Sequence, residues 1–487
     1  MATDADEGAS NDMQLNPAGA ELLDNIKSAA PGSVILDSEE RYRTDPRQRR
    51  NGQEGLVVAP KSVAQVAAIA SLCNQHRVAL VPFGGGTGLV GGQLAYDLPR
   101  PCILSLERLN RIREVNPSAT LVTVEAGCTL QQVQAVATDK ARVFPLSLAS
   151  KGSCQIGGNL ATNAGGSNVI RYGNMRHLCL GIEAVFADGG VWNGLSGLCK
   201  DNRGFDLRDL LIGSEGTLAI MTAACLKLVS VPSDRVVFLA SLAHPEAGLR
   251  LLEKARLRFD SILSAFELIS RVGIDFLMET DADFHAPFDP LPDWMVLVDI
   301  GSECDMELSE RVTDMLEEAV SESVIGDAIF ASSGAQIESL WSLRDSIPAA
   351  NRRIGAVASH DISLPLDALV DFMTDCEAAL AAIGEFRVNC FGHLGDGNLH
   401  YNVFPPRGVN AVELAGLQEQ VRHCVYETVR SFGGSTSAEH GTGRVLAEEL
   451  QQFSDSAYMG AMAAIKAALD PHGILNPGAV LTHPFGS

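Results

Sequence analysis

Along its first half the chain alternates short apolar runs with stretches of helical period. Leu56-Val57-Val58 is a strand-like run, and Ser62-Val63-Ala64-Gln65 behind it has the hydroxyl and glutamine spacing of a capped helix start. Val63, Val66, Ala67 and Ala70 then fall on one helical face, and Val78 to Val81 restarts a strand. Leu121, Val122 and Val124 predict a further strand, and Thr129-Leu130-Gln131-Gln132 opens another capped helix. Ile182 to Ala187, the turn residues Asp188-Gly189-Gly190 and then Val191-Trp192 read as a hairpin. Strands and helices mixed in this way predict an α+β domain and not a repeating βαβ array.

Glycine usage divides the chain. It is dense and confined to loops between Gly84 and Gly216, then thins from Val231-Pro232-Ser233 to Ser431, where long helical patterns dominate. It returns in Phe432-Gly433-Gly434-Ser435-Thr436-Ser437. The divisions expected are a disordered start over 1–20, a domain over 21–231, a second over 232–430 and a C-terminal segment over 431–487. A length of 487 residues accommodates roughly two to four domains.

Charge and cysteine narrow the function classes. With 37 Lys and Arg against 60 Asp and Glu, the formal net charge is −23. Such a field repels phosphate backbones, so nucleic acid is excluded as a partner and an anionic membrane surface is disfavoured. No apolar run approaches the roughly 18 residues that a membrane span needs. The 11 cysteines are scattered singly from Cys73 to Cys424 with no C-x-x-C pair, which fits buried free thiols in a reducing cytoplasm. The first twelve residues hold three Asp and one Glu and no Lys or Arg, so neither a signal nor a transit peptide is expected.

The first chemical signal is Val81-Pro82-Phe83-Gly84-Gly85-Gly86-Thr87-Gly88-Leu89-Val90-Gly91-Gly92. Gly86-x-Gly88-x-x-Gly91 matches the dinucleotide fingerprint, but that fingerprint needs a helix directly behind it. Gln93-Leu94-Ala95-Tyr96-Asp97-Leu98-Pro99-Arg100-Pro101 is no helix, so a Rossmann NAD site is rejected. What remains is a run of exposed backbone N–H groups able to wrap an anion, or a plain glycine-rich turn. A second segment, Pro145 to Gly166, decides between them. It carries glycine pairs at 157–158 and 165–166 with Asn159, Thr162 and Asn163 between, and Arg171-Tyr172-Gly173 and Gly213-Ser214-Glu215-Gly216-Thr217-Leu218 follow. Several tight loops bearing small amides and hydroxyls point to a large anionic ligand with a heteroaromatic edge.

The loops PFGGGTG, KGSCQIGGNLATNAGG and LRDLLIGSEGTLAI, with FGHLGDGNLH near the C-terminus, resemble the FAD-dependent D-2-hydroxyacid dehydrogenases of the vanillyl-alcohol-oxidase superfamily. The run KGSC-x-IGGN-x-ATNAGG looks most like their D-2-hydroxyglutarate branch, and the resemblance spans about Asn51 to Val480. It implies an α+β fold: a vanillyl-alcohol-oxidase-type FAD-binding domain, a separate α+β substrate (cap) domain, and a C-terminal segment that completes the active site. It implies FAD along the 82–92 loop with the isoalloxazine near 145–166. The cofactor contacts it implies are Pro82, Gly84, Gly85, Gly86, Thr87, Gly88, Pro145, Gly157, Gly158, Asn159, Thr162, Gly165, Gly166, Gly173, Glu215, Gly216, Ile220 and Asn476. Neither loop offers a His or Cys at the family's usual tethering places, so the FAD is expected to be non-covalent, with Cys154 a packed thiol.

The second signal is Phe391-Gly392-His393-Leu394-Gly395-Asp396-Gly397-Asn398-Leu399-His400-Tyr401-Asn402. Gly-Asp-Gly-Asn is a strong turn. If it closes a hairpin with Leu394 opposite Leu399, His393 faces His400 directly, with Asn402 on the same side. Glu439 in Ser437-Ala438-Glu439-His440-Gly441-Thr442-Gly443 would complete a two-imidazole, one-carboxylate set of the kind catalytic zinc sites use, with Mn²⁺, Fe²⁺ or Co²⁺ also suited. His440 is then free to act as a base. The resemblance assigns these four residues the same roles, adds Asn402 to the catalytic group, and matches Trp341-Ser342-Leu343-Arg344 to a segment whose arginine clamps the substrate carboxylate. Relatives commonly carry Lys where this chain has Ser359, which puts a distal carboxylate contact in question, and Arg352 and Arg353 are the candidates to replace it.

The reaction so implied is oxidation of a D-2-hydroxy acid, D-2-hydroxyglutarate first, to the 2-oxo acid with hydride passing to the flavin. The expected acceptor is an electron-transfer flavoprotein or a quinone, and the assembly admits a homodimer. A D-lactate or D-malate dehydrogenase is the alternative within the fold. Outside it stand a flavin-free metallohydrolase built on His393, His400 and Glu439, and a catalytically silent flavin-binding protein.

Overall fold

A computed structural model describes residues 14–482 apart from 37–38, 48–49, 117, 119 and 332. Of the expected disordered start, residues 1–13 lie outside the described residues. From residue 14 the chain is ordered instead: Asn16 bridges to Val78, and the helix Ala20–Ala29 buries Leu22 and Ile26. Their burial against Val66, Ile69 and Leu80 supplies the driving force that composition alone did not reveal.

The first half builds two main sheets. Strands Val34–Leu36, Leu56–Ala59, Cys102–Ser105 and Leu80–Phe83 lie in that spatial order, with the last three parallel. The connecting helix Val63–His76 starts where the pattern predicted, with the Ser62 hydroxyl accepting from the Gln65 N–H. The second sheet runs Ile112–Asn116, Leu121–Glu125, Ile220–Lys227, Cys179–Val185 and Val191–Asn193, all antiparallel. Its last pair is the predicted hairpin, with Val185 opposite Val191. Helix Leu130–Thr138 carries the full reciprocal cap between Thr129 and Gln132.

From Asp234 a different sheet takes over. Seven antiparallel strands lie in the spatial order Ala328–Ala331, Asp234–Leu242, Trp294–Ser302, Leu263–Ser270, Arg387–His393, Asn398–Phe404 and Ala358–Ser363. The glycine-poor stretch read as dominantly helical is therefore a sheet flanked by helices. The central strands are buried on both faces, so they carry continuous apolar runs without the alternation that betrays a strand. The long helix Gly334–Ile354 packs on one face, where Leu340, Ile347 and Ala350 meet Ile269, Ile274 and Leu297.

The C-terminal segment returns to the first half. Leu475 bridges to Leu80 and is buried with Ile474 among the residues of that first core. Buried Lys466 donates to the carbonyls of Thr217 and Leu475 and to the Asp470 carboxylate. Earlier in the same segment, Glu215 accepts from the backbone N–H groups of Thr442 and Gly443, pinning the 437–443 loop beside the 213–218 loop.

Candidate functional site

One cavity of about 900 Å³ gathers the glycine segments of the first half and the polar face of the seven-stranded sheet. Its wall includes Pro82, Gly84 to Gly88, Gly157, Gly158, Asn159, Thr162, Gly165, Gly166, Glu215, Gly216, Ile220 and Asn476. Pro145 and Gly173 lie outside that wall. The Pro145 carbonyl accepts from Asn168, and Gly173 closes the short helix Val169–Tyr172, with a φ of +74°. The second glycine segment is also not wholly loop: Ile156–Ala161 is a short helix that contains Gly157, Gly158 and Asn159. At Gly158 an added Cβ would meet nothing within 4 Å, so this stretch of backbone faces open cavity. Gln155, absent from the residues singled out in the sequence, also lines the wall, and its buried Oε1 has no hydrogen-bond partner among the described residues. A bare glycine cradle with an orphaned acceptor fits a large ligand that brings its own donors.

At the other end of the cavity the sheet sets out a row of ionisable groups. His393 pairs across strands with Glu267, and His400 with Asp361. His400 stands opposite Phe391 and not opposite His393 as the turn chemistry suggested. The chain bends through the 3₁₀ turn Leu394–Asp396 and Gly397, so the hairpin register is displaced by two residues. A two-residue displacement preserves the face on which each side chain emerges, because the strand period is two. His393, His400 and Asn402 therefore still share the cavity side, with the two imidazole centroids 5.5 Å apart.

The hydrogen bonds aim both rings. His393 Nδ1 lies 2.6 Å from Glu267 Oε1, and its Nε2 is 3.8 Å from Glu439 Oε2. His400 Nδ1 is 3.6 Å from Asp361 Oδ1, and its Nε2 is 3.6 Å from Glu439 Oε1. Each imidazole thus has a buried carboxylate behind it and turns its other nitrogen to the same glutamate. Metal-binding histidines are oriented in this way, by a carboxylate that fixes the tautomer. Donors about 2.0–2.1 Å from a tetrahedral ion sit roughly 3.4 Å apart, close to the separations of 3.8 and 3.6 Å between the two Nε2 atoms and the Glu439 oxygens. Among the described residues, the donor atoms that lie within 4.8 Å of one another are those of Asp361, His400, Glu439 and His440, a group that shares His400 and Glu439 with the expected set and leaves out His393. Asp361 is already engaged by the N–H groups of Glu439 and His440 and by the Asn398 amide.

The electrostatics distinguish the two imidazoles, and without a cation only His400 is in the neutral form that a ligand needs. Burial pushes the His400 imidazole down to about 4, so it is neutral and available as a ligand. Burial also disfavours a charged His393, but Glu267 and Glu439 outweigh it and hold that ring well above the usual histidine range. Burial alone would raise Glu439, yet His393, then His400 and His440, keep its carboxyl well below the ordinary value. The Glu439 carboxylate also receives the Gly166 N–H at 2.9 Å. A Cβ at Gly166 would lie 1.9 Å from the Ser147 carbonyl oxygen, and its φ is +93°, so only glycine holds that loop in place.

Two further groups face this cluster. Arg344, on the helix Gly334–Ile354, is buried and donates from Nε to Glu267 Oε2 at 2.7 Å, while its buried Nη2 has no partner among the described residues. An unpaired guanidinium nitrogen on a cavity wall calls for an anionic oxygen. His440 stacks on His400 with centroids 5.8 Å apart, and its Nδ1 is 3.3 Å from Asp361 Oδ2. That arrangement directs a proton on Nδ1 to the carboxylate and leaves Nε2 as the acceptor. Glu267 and Asp361 were not recognised as functional in the sequence. Glu267 sits in the apolar run Leu263–Ser270, and a lone carboxylate in such a run is itself a signal, since a buried charge requires a partner.

Comparison with known proteins agrees with the fold and the cradle. Residues 55–194 match the family model described as FAD binding domain, and 231–480 match FAD linked oxidases, C-terminal domain. A protein of Oryza sativa subsp. japonica named probable D-2-hydroxyglutarate dehydrogenase, mitochondrial, is 36% identical over 479 residues, covering 96% of this chain and 84% of that one. The D-2-hydroxyglutarate dehydrogenase of Xanthomonas citri pv. viticola is 35% identical over 440 residues, covering 90% and 92%. Among solved structures, p-cresol methylhydroxylase with substrate bound superposes with a TM-score of 0.75 at 16% identity, over 95% of this chain and 96% of that one. The 4-ethylphenol oxidase of Gulosibacter chungangensis gives 0.68 at 18%, over 97% and 99%.

Proposed function

We propose a function from one premise: this chain belongs to the family of FAD-dependent D-2-hydroxyacid dehydrogenases. Within it, the reaction we assign is metal-assisted oxidation of D-2-hydroxyglutarate to 2-oxoglutarate. One observation carries the metal and substrate part of that reading. Two histidine Nε2 atoms converge on Glu439, each with a carboxylate behind it, in a cavity that also holds an arginine nitrogen with no partner among the described residues. His393, His400 and Glu439 would hold a divalent ion, zinc by donor type, and Pro82 to Gly88, Gly157 to Asn159 and Thr162 to Gly166 would hold FAD non-covalently. The flavin when bound supplies the hydride acceptor, and the ion supplies a Lewis acid for the substrate oxygens.

The protein's own part is positional and proton-handling. Arg344 pairs the C1 carboxylate through Nη2 while Glu267 fixes its Nε. Asn402, buried on the same face as His400, offers its amide to the substrate oxygens. His440 Nε2 takes the C2 hydroxyl proton, with Asp361 holding Nδ1. The missing helix behind Gly91 argues against NAD as the reoxidant, so an electron-transfer flavoprotein or a quinone is the acceptor class we favour. All 11 cysteines are free, and no helix among the described residues is long and apolar enough to cross a membrane; we favour the cytoplasm.

The test is to mix flavin-loaded protein anaerobically with D- and L-2-hydroxyglutarate, D-lactate and D-malate. Loss of the flavin's visible band with the D-diacid and not its L form is the result expected. The D-lactate or D-malate reading rests on the short Ser359 side chain in the cavity wall and would be preferred if those acids bleached faster. A colourless active hydrolase, or a flavin that no hydroxy acid bleaches, would overturn the assignment.

A further inference from the structure

The helix Gly334–Ile354 presents Arg344, Asp345, Pro348, Asn351 and Arg352 to the cavity. Eight residues of helix separate the two arginines by about 12 Å along the axis. Arg344 is held by Glu267, whereas Arg352 has no hydrogen-bond or ion-pair partner among the described residues. Arg352 is exposed and lines the cavity, so its guanidinium is free to meet an anion that enters from solvent. The neighbouring cation Lys151 is opposed by Asp345, whose carboxyl it helps to stabilise against burial. Arg353, the other candidate from the sequence, donates to the Thr280 carbonyl and is absent from the cavity wall.

Two neutral groups line the same cavity as Arg352. Asn351 accepts from Asn389 through Oδ1, which leaves its Nδ2 uncommitted on the cavity wall. Ser359 is paired across the sheet with Asn402, lines the same wall, and has a side-chain hydroxyl without a partner among the described residues.

We infer that Arg352, with the Asn351 amide and the Ser359 hydroxyl, forms a second carboxylate position in the cavity, so that the site selects D-2-hydroxy diacids over monoacids. The inference rests on the reaction proposed above and adds to it the residue that reads the far end of the substrate. Arg344 takes the carboxylate next to the reacting carbon, and Arg352 takes the one at the other end of the chain. Arg353 is excluded from the second role by its bond to the Thr280 carbonyl and its place off the cavity wall.

The experiment compares D-2-hydroxyglutarate with D-2-hydroxypentanoate, which has the same five carbons and no distal carboxylate. Anaerobic flavin reduction is followed for wild type, Arg352→Ala, Arg352→Lys and Lys151→Ala, all checked for their flavin content. The expected result is a diacid-to-monoacid ratio of kcat/KM that falls roughly 10- to 100-fold in Arg352→Ala, mainly through KM, as loss of a charge-assisted pair implies. Arg352→Lys should recover part of the ratio, and Lys151→Ala should change it little. An unchanged ratio in Arg352→Ala, or a larger fall in Lys151→Ala, overturns the inference while leaving the dehydrogenase reading intact. Failure of both acids to bleach the wild-type flavin overturns that reading and the inference with it.

Discussion

Glu267→Gln is the substitution that presses hardest on the site. The wild-type side chain is fully buried and touches two donors, His393 Nδ1 at 2.6 Å and Arg344 Nε at 2.7 Å. Burial would raise its carboxyl, but the charges and hydrogen bonds of His393 and Arg344 prevail and hold it at about 2, from an ordinary 4.5. A depression of that size corresponds to ~3 kcal/mol of stability at neutral pH. Because the folded value is the lower one, that stability is present above the ordinary carboxylate range and is lost only as pH falls from about 4.5 through about 2. Breaking a buried pair by removing one partner costs about 3–5 kcal/mol, so the two routes agree. Glutamine has the same shape, which removes cavity formation as an explanation.

The functional consequence follows from donor counting. An amide has one acceptor oxygen for two donors, so either Arg344 is released or His393 turns its Nδ1 into an acceptor and protonates Nε2. The first loosens the carboxylate clamp, and the second removes a metal ligand. We expect metal affinity to fall about 10–100-fold and kcat/KM on D-2-hydroxyglutarate to fall by roughly 10²–10³. Metal titration of purified, flavin-loaded protein and anaerobic flavin reduction check both. A Glu267→Gln protein with wild-type metal affinity and wild-type kcat/KM would refute the reasoning.

Four further outcomes are expected. His440→Ala should lower the rate of flavin reduction by roughly 10²–10⁴ while the protein stays yellow, which stopped-flow and an absorption spectrum test together. Chelation should remove activity and Zn²⁺ or Mn²⁺ restore it; full turnover by demonstrably metal-free protein would sink the metal role. Gly166→Ala forces a Cβ to 1.9 Å from the Ser147 oxygen and displaces the N–H that holds Glu439, so both thermal stability and metal content should drop. His360 is buried, donates from Nδ1 to the Tyr401 carbonyl, and is pushed down to about 4 by burial. Its neutral form is favoured by folding, so stability should decline by up to ~3 kcal/mol as pH falls from about 6.5 to about 4; a His360→Gln variant should show a flatter profile in thermal unfolding across that window.

The parts of the site that are contiguous in sequence were legible there. Glycine runs, the Glu439-His440 pair and the helix caps are local features whose physics is complete within a few residues. Which face His393 and His400 occupy was also legible although their register was not, because a two-residue displacement leaves strand parity intact. Glu267 and Asp361 were harder. Their meaning comes from cross-strand pairing with His393 and His400, and residues 126 and 39 positions apart meet only once the sheet has assembled. The helix at Ile156–Ala161 was missed because its two glycines argue for a loop, and packing of Ile156 and Leu160 in the core overrides that preference. Residues 14–20 were read as disordered from their polar neighbours, whereas the apolar face of Ala20–Ala29 docks them.

The central claim is that a flavin and a divalent ion flank one small chiral alcohol in this cavity. Anomalous diffraction from crystals of the FAD-loaded protein, recorded at the edge of the metal it retains, tests this most directly. The account predicts a single strong peak about 2.0–2.3 Å from His393 Nε2, His400 Nε2 and a Glu439 carboxylate oxygen, with the isoalloxazine along Gly157–Gly166 on the other side of the gap. Occupied flavin density with no peak among those three residues, in protein that still oxidises D-2-hydroxyglutarate, would contradict it.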